Sequence, residues 1–510
     1  NMNSKVNELK LKFTSKAEAL EAFQRALEIA KRIQECKVET DGFLYGISGQ
    51  FIEPGPSGSI TRGKIEILPT GRNFYAIDPT SIPTRAAWKI GIETAEKLLE
   101  HYDKHHGKYP ETIGQWLWSL DGYKGDGEQI SQILYLLGTK PIWRTDGTIK
   151  GVEVIPLEEL GRPRIDVSVR ISGIVRDTLP IYFQLIDEAV SKVVMLEEST
   201  DVNYVKKHYL EYLTELRGEK NHEIAKCRVW CSPSGTYGSG VNYAIESSAW
   251  KDDEDLAKTW VQWGCYMYTK KLFGEPNPEG LIMNLKNVEV ITRNHITDEH
   301  DILNCCCYFS THGGFYNTVK SLTGKDDVEI VVVDTKDITR AEIRGIKEEI
   351  ERIVRAKLLN PTWISEMKKH GYRGANEFSK KILHLYGWSS TTKLVNDWVF
   401  DNIAETYIID EEMRKWFAEN NIWAAEEISR RLTEAIERKL WQPTEEMKDN
   451  LEEAYADIEG VLEDSLGGEA EIQGGEIRMY SPEEVENWKN KLTNITQTWN
   501  KFIQNKENEN

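Results

Sequence analysis

Apolar side chains between residues 15 and 36 fall at Ala17, Leu20, Phe23, Leu27, Ile29 and Ile33, a near-helical spacing that predicts an amphipathic helix. Over residues 46–86 the period disappears. This stretch is rich in Gly, Pro, Ser and Thr and reads as a long ordered loop. Loops of that length in a folded chain are usually functional or act as linkers. From about residue 87 helical and strand patterns alternate. Helices are expected at 87–104, 127–137, 179–196 and 202–216, and strands at 112–119, 152–155, 165–171, 288–292 and 328–334. Strand–helix–strand alternation favours a parallel sheet covered by helices.

Beyond residue 338 the pattern is helical. Thr339 and Glu342 match a capping box, followed by Ile343, Ile346, Ile350, Ile353 and Leu358. That helix should stop at Asn360, before Pro361. More helices are expected at 374–386, 392–408, 411–419, 422–438 and 444–465. A glycine-rich linker over 466–479 leads to a last helix opened by Ser481, Pro482 and Glu483. The predicted fold class is therefore multidomain α/β: parallel-sheet α/β units followed by an α-helical C-terminal region. The expected segments are 1–45 (helical), 46–90 (loop or linker), 91–200 (α/β), 201–337 (a second α/β domain), 338–465 (helical) and 466–510 (linker and terminal helix).

Composition narrows the partners. A net charge of −19 argues against nucleic acid, whose phosphates need a basic face. No apolar run approaches the roughly 20 residues of a membrane span. Seven cysteines scattered over 510 residues do not form a disulfide framework, so a reducing, cytoplasmic compartment is expected. The sixteen tryptophans are many, and a share of them would suit a large, flat ligand.

Common catalytic motifs are missing. There is no G-x-x-x-x-G-K-[ST], no G-x-S-x-G and no H-E-x-x-H. Gly122, Gly125 and Gly127 precede a helix and would suit a phosphate, or simply a loop. Cys305, Cys306 and Cys307 lie close in sequence to His295, His300 and His312. Two of the thiols with His312 or His300 would form a soft-metal site; the alternative is a buried strand end. Arginines gather at Arg62, Arg72 and Arg85, and again at Arg162, Arg164, Arg170 and Arg176. Their forks suit carboxylates, either of a ligand or of Asp78, Asp166 and Asp177.

Several strings, in order, resemble one family: PTGRNFYAIDPTSIPTRAAW (69–88), GKYPETI (107–113), IPLEELGRPRIDVSVRISGIVRD (155–177), SPSGTYGSGVN (232–242), THGG (311–314) and LLNPTWISEMKKHGYRGANE (358–377). The segment NDWVFDNIAETYIIDEEMRKWFAENNIWA (396–424) continues the series. Together they resemble the large subunit of aerobic cobaltochelatase and, less closely, the H subunit of magnesium chelatase.

The resemblance implies a subunit that binds a metal-free tetrapyrrole and the substrate metal, cobalt or else magnesium or nickel. ATP and its Mg would be bound by separate AAA+ subunits, as the missing phosphate loop agrees. In the cobalt branch the macrocycle is hydrogenobyrinic acid a,c-diamide. By this resemblance Arg72, Asn73, Tyr75, Arg85, Arg170, Ser172, Arg176 and Asp177 would bind the substrate, the arginines through its carboxylates. Asp78 and His312 would handle protons and His312 the metal; Cys305 and Cys307, assigned to the metal from their own chemistry, stand where the family would carry polar or acidic residues. Complete members carry an upstream His-Gly stretch followed by Glu and Pro-Gly-Lys, and it has no counterpart in this sequence. A fragment, or half of a split subunit partnered by the other half, is the expectation. The alternatives are a non-catalytic tetrapyrrole-binding scaffold and, from the tryptophans alone, a carbohydrate enzyme.

Overall fold

A computed structural model describes residues 15–75, 77–216, 221–337, 339–466 and 482–509. The chain forms two compact units, Asn1–Ser81 and Ile82–Asn510. In the first, helix α1 (Lys16–Glu35) begins where the Ser15 hydroxyl accepts from the Glu18 amide. Helix α2 (Glu39–Ile47) follows, and strands β1 (Pro54–Pro56) and β2 (Asn73–Tyr75) pair in parallel. A side chain at Gly42 would collide with the Gly71 carbonyl, so glycine is what allows that approach.

The second unit is built on one sheet. Helix α3 (Arg85–His106) leads into β3 (Thr112–Leu117), and α4 (Glu128–Leu136) into a hairpin of β4 (Thr139–Trp143) and β5 (Ile149–Val154). Then come β6 (Asp166–Ile171), α5 (Gly173–Thr178), α6 (Ile181–Val193), α7 (Tyr204–Glu215), β7 (Val229–Cys231), α8 (Asp253–Gly264), β8 (Tyr266–Tyr268), β9 (Phe273–Pro276) and α9 (Pro278–Leu285). The chain continues through β10 (Val288–His295), α10 (Gly314–Thr323), β11 (Glu329–Asp334) and β12 (Glu342–Gly345). The eight strands order as β12-β11-β10-β3-β6-β7-β8-β9. The central pairs from β11 to β7 are parallel, and the edges, β12, β8 and β9, are antiparallel. Every residue of β3 and β6 is buried, because helices cover both faces. α3 and α4 pack on one side, and α8 and α10 on the other.

The expectation of separate α/β domains at 91–200 and 201–337 is corrected. Strands of both segments share this sheet, since β10 seats itself beside β3. The capping box is also corrected. Asp337 accepts from the amide and hydroxyl of Thr339, Glu342 opens the edge strand β12, and the helix starts only at Ile346.

The remaining helices are α11 (Ile346–Ile353), α12 (Pro361–Lys368, capped by Asn360), α13 (Tyr372–Thr392), α14 (Asp397–Ala404), α15 (Glu411–Asn420), α16 (Ile422–Glu437), α17 (Glu445–Leu466) and α18 (Pro482–Glu509). The linker predicted at 466–479 falls almost wholly outside the described residues. No described helix is long and apolar enough to cross a membrane.

Candidate functional site

From β3 the chain builds outward through β6 and β7, then returns to place β10 and β11 on the other side of β3. The strand order therefore reverses between β3 and β10. Connections on opposite sides leave a crevice beyond the carboxyl ends at such a point, which is where open α/β sheets bind ligands.

The residues at that crevice are unusual for a sheet interior. Trp116 on β3 pairs with Arg170 on β6. Thr292 pairs with Gln115, which brings Arg293 of β10 beside Trp116. Two buried arginines thus flank a buried tryptophan across three adjacent strands. The Arg293 guanidinium lies 5.0 Å from the Trp116 ring centre, 5.1 Å from Trp118 and 4.1 Å from Tyr308. It donates to the Tyr308 hydroxyl (3.0 Å), which donates to the His300 carbonyl (2.6 Å). Arg170 sits 5.5 Å from the Trp260 ring and donates to the carbonyls of Gly238 and Gly264. Neither arginine has a carboxylate within salt-bridge distance among the described residues; Glu349, Cys305 and Cys307 act on Arg293 only from farther off. Burial lowers the pKa of both guanidinium groups. Removing a cation from water costs several kcal/mol, and an aromatic cage offsets about 2 kcal/mol of it.

Above this row the chain makes a π-helical turn, Tyr308–Gly313, that runs into α10. Such turns are rare and cluster at functional sites. The turn fits because Gly313 and Gly314 have no Cβ: one at Gly313 would collide with the Thr391 hydroxyl, and one at Gly314 would press on Trp260. His312 is thereby wedged between Trp116 and Trp388, each 5.9 Å away. It is fully buried, and neither ring nitrogen has a hydrogen-bond partner among the described residues. A nitrogen faces the Ile291 backbone without reaching hydrogen-bond geometry. Burial, with Arg293 nearby, lowers its pKa to about 3, so the imidazole is neutral near pH 7. On the same strand end the Asn294 side chain and His295 Nδ1 are also buried without partners among the described residues. Unpartnered buried polar groups cost about 1–3 kcal/mol each, and native structures rarely keep several together without use.

The three cysteines form the half-buried rim. They are not at a strand end: Cys306 and Cys307 open the helix that carries the π turn, and the Cys307 amide donates to Cys305 Sγ at 3.4 Å. Their sulfurs lie within 4.8 Å of one another, in a group that does not include His312. The thiols of Cys306 and Cys307 turn toward Cys305 and hold it well below the usual range, while their own are pushed up. The imidazole that acts on Cys305 is His384. One stripe of α13 holds this loop: Lys381 meets Asp301 and Asn304, His384 Nδ1 meets the Leu303 carbonyl (2.7 Å), and Trp388 donates to the Ile302 carbonyl (2.9 Å). Asp301 also receives Lys357.

Other predicted residues are engaged in holding loops. Ser172 caps α5 by accepting from the Val175 amide. Arg176 binds Asp177 and donates to the carbonyls of Ser232, Pro233 and Thr236, which fixes the loop after β7. That guanidinium, with the Tyr237 hydroxyl, keeps Asp177 below the usual carboxylate range. Arg85 lies 4.9 Å over Trp143. In the first unit Arg72 donates to the carbonyls of Glu66, Ile67 and Pro69, the Asn73 amide donates to the Glu53 carbonyl, and Asp78 accepts from Thr80. Tyr75 is in β2, and its side chain is outside the described set. The glycines before α4 do not leave a phosphate site. The Asp121 carboxylate already takes the amides of Gln129 and Ile130 at that helix start.

Trp116, Trp118, Arg293, Tyr308 and His384 were missed by the sequence reading. The available signal was an arginine in a strand, β10, that opens on the apolar positions Val288, Val290 and Ile291. Grooves of about 410 and 680 Å³ in the helical region carry neither histidine nor cysteine.

The family model described as CobN/Magnesium Chelatase matches residues 2–448. An uncharacterized protein of Methanocaldococcus jannaschii is 47% identical over 92% of this chain and 38% of its own length. The H subunit of the Cereibacter sphaeroides magnesium chelatase is 36% identical over 86% of this chain and 36% of its own length. Among solved structures, the catalytic subunit of cobaltochelatase from Mycobacterium tuberculosis superposes with a TM-score of 0.85 at 34% identity, covering 90% of this chain and 40% of that one. The chain thus spans about two fifths of the length of the relatives it matches.

Proposed function

The chain belongs to the CobN/magnesium chelatase family, and on that premise we propose that it is the tetrapyrrole-binding part of an ATP-dependent metal chelatase. Its substrate ion is cobalt, its macrocycle a corrin precursor of the hydrogenobyrinic acid a,c-diamide type, and its partners are AAA+ subunits that bind ATP and Mg. The observation that carries this reading is the row of Arg293, Trp116 and Arg170 at the strand-order reversal. Buried cations with no carboxylate at salt-bridge distance among the described residues, in a chain of net charge −19, suit a flat ligand with an anionic rim.

Insertion exchanges two pyrrolic protons for one divalent ion. Neutral His312 offers a lone pair for the ion or for a proton in transit. The cysteine rim, in which two neighbouring thiols lower the pKa of Cys305, suits cobalt or nickel. It is a poor match for magnesium, which prefers oxygen ligands. Arg176, Ser172 and Asp177 position the loops around the ligand.

Titration of the purified chain with a metal-free corrinoid and with protoporphyrin, followed by tryptophan fluorescence and absorbance, tests this. Saturable binding of the corrinoid, weakened roughly tenfold or more in Arg293→Met, is the expected result. Binding of neither macrocycle would defeat the reading for this chain. A scaffold that binds the macrocycle without inserting metal would pass that titration but form no cobalt complex when Co²⁺, AAA+ subunits and ATP are added.

A further inference from the structure

At the opposite, amino-terminal edge of the sheet, three histidines of one helix end converge on a single carboxylate. His101, His105 and His106 occupy the end of α3, and Glu329 begins β11. His101 Nε2 is 3.2 Å from Glu329 Oε2. His105 Nδ1 is 3.5 Å and His106 Nε2 2.8 Å from Oε1. We infer that His101, His105 and Glu329 form a binding site for a divalent transition-metal ion of the zinc, cobalt or nickel type, with His106 holding the carboxylate in place.

Four features support the assignment. His101 and His105 are four residues apart, so both imidazoles leave one helix face, the arrangement by which helices chelate metal. One ligand atom from each of the three residues lies within 4.8 Å of the others. Ligands bound tetrahedrally at about 2.0–2.1 Å stand about 3.3 Å apart, and the His101 and His105 contacts to Glu329 are 3.2 and 3.5 Å. The site also closes the carboxyl end of a helix, where the backbone dipole favours a cation.

The surroundings are consistent with an open site. His105 is half exposed, which gives the ion an entry path and leaves a position for water. His106 stacks on Tyr102 at 4.1 Å and directs its nitrogen at Glu329, the outer support that ligating carboxylates commonly have. Burial alone would raise Glu329, but His101 and His106 outweigh it and keep the carboxylate ionised. The set of two imidazoles and a carboxylate favours Zn²⁺, Co²⁺ or Ni²⁺ over Mg²⁺. A third cluster, His295, Asp298 and Glu349, is not proposed, because Arg352 and Arg344 already neutralise its carboxylates. The assignment is independent of the tetrapyrrole reading.

The test uses the full chain with Cys305, Cys306 and Cys307 changed to Ser, stripped with a chelator and titrated with Zn²⁺ by calorimetry. A parallel Co²⁺ titration is followed by its absorption bands. One equivalent of Zn²⁺ should bind and raise the melting temperature, with Mg²⁺ in excess failing to compete. His105→Ala and Glu329→Gln should each weaken binding by about 10–100-fold while melting at an unchanged temperature without metal. Absence of binding in the cysteine-free chain would overturn the site, and so would equal affinity in both variants.

Discussion

The two ends of the central sheet treat buried charge in opposite ways. At the amino ends of the strands each buried acid or base has a charged partner. Asp166 receives Arg228 (2.7 Å) and His208 (2.8 Å), His208 reaches Glu111 (3.2 Å), and Glu111 receives Lys207 (2.6 Å). At the carboxyl ends Arg170 and Arg293 rest on aromatic rings without a carboxylate, and His312 has no hydrogen-bond partner among the described residues. Both ends are equally dry, so burial does not distinguish them. Whether a buried charge meets an opposite charge within the chain does, since single hydrogen-bonding atoms such as Arg228 Nη2 lack a partner at the amino end too, among the described residues. A paired charge is explained by folding alone, whereas an unpaired one retains a desolvation cost that a bound ligand would offset.

Removing one member at each end should therefore have different consequences. Asp166→Ala leaves Arg228 and His208 without their counter-charge and should destabilise the chain by about 3–5 kcal/mol, read from denaturant unfolding. Arg293→Met removes a cation that has no carboxylate at salt-bridge distance among the described residues, so stability should stay level or rise. The loss should appear instead in corrinoid affinity, by about 1.5–3 kcal/mol for a charged contact, or roughly tenfold or more. If Arg293→Met unfolds the chain as Asp166→Ala does, the contrast between the ends fails.

Acid titration sharpens the same contrast, because His312 at one end and His208 at the other shift in opposite directions. Burial lowers His312 to about 3, and His295 and His384 are lowered as well. Below about pH 6.5 the unfolded chain takes up protons that these folded imidazoles refuse, so stability falls as pH falls. His312 alone contributes a slope approaching 1.4 kcal/mol per pH unit between about 6.5 and 3. His208 behaves in reverse. Burial would lower it, but Asp166 and Glu111 raise it, so its contribution is complete below about pH 6.5 and is lost as pH rises through its folded value. Unfolding measured from pH 5 to 8 should show a maximum near neutrality. His312→Phe should flatten the acid limb only; flattening of the alkaline limb instead would reverse the assignment.

The sequence made individual elements readable and left their assembly hidden. β3 and β6 are short apolar runs between turn signals, and α13 and α16 have clear helical periods, so local pattern and structure agree. The pairing of β10 with β3 joins residues 176–177 positions apart, and no local period encodes it. Thr339 and Glu342 show how a local motif is overridden: Asp337 took the threonine, and the edge of the sheet took the glutamate. In the site, the cysteine trio and His312 were legible because such residues are scarce. Trp116 and Arg293 were not, because a tryptophan and an arginine in strands look like ordinary core and rim until pairing sets them side by side. His384 was invisible for a similar reason, since only the packing of α13 on the 301–307 loop brings it to Cys305.

Ser172 offers the smallest effect and the finest test, because it stands at the carboxyl end of β6 yet is fully used within the chain. Its hydroxyl accepts from the Val175 amide at 3.3 Å and starts α5, which carries Arg176 to the loop after β7. By the completeness criterion it should behave as the amino end does, despite its location. Ser172→Ala should cost about 1 kcal/mol of stability, the usual effect of a lost helix cap, and leave corrinoid affinity within about twofold, less than 0.5 kcal/mol. Ser172→Asp, which preserves an N-cap acceptor, should recover the stability. The opposite pattern, level stability with a tenfold loss of affinity in Ser172→Ala, would mean that position at the crevice outranks internal pairing in marking a ligand contact. The absence of a carboxylate beside Arg293 and of a hydrogen-bond partner for His312, among the described residues, would then lose its force as the sign of a binding site.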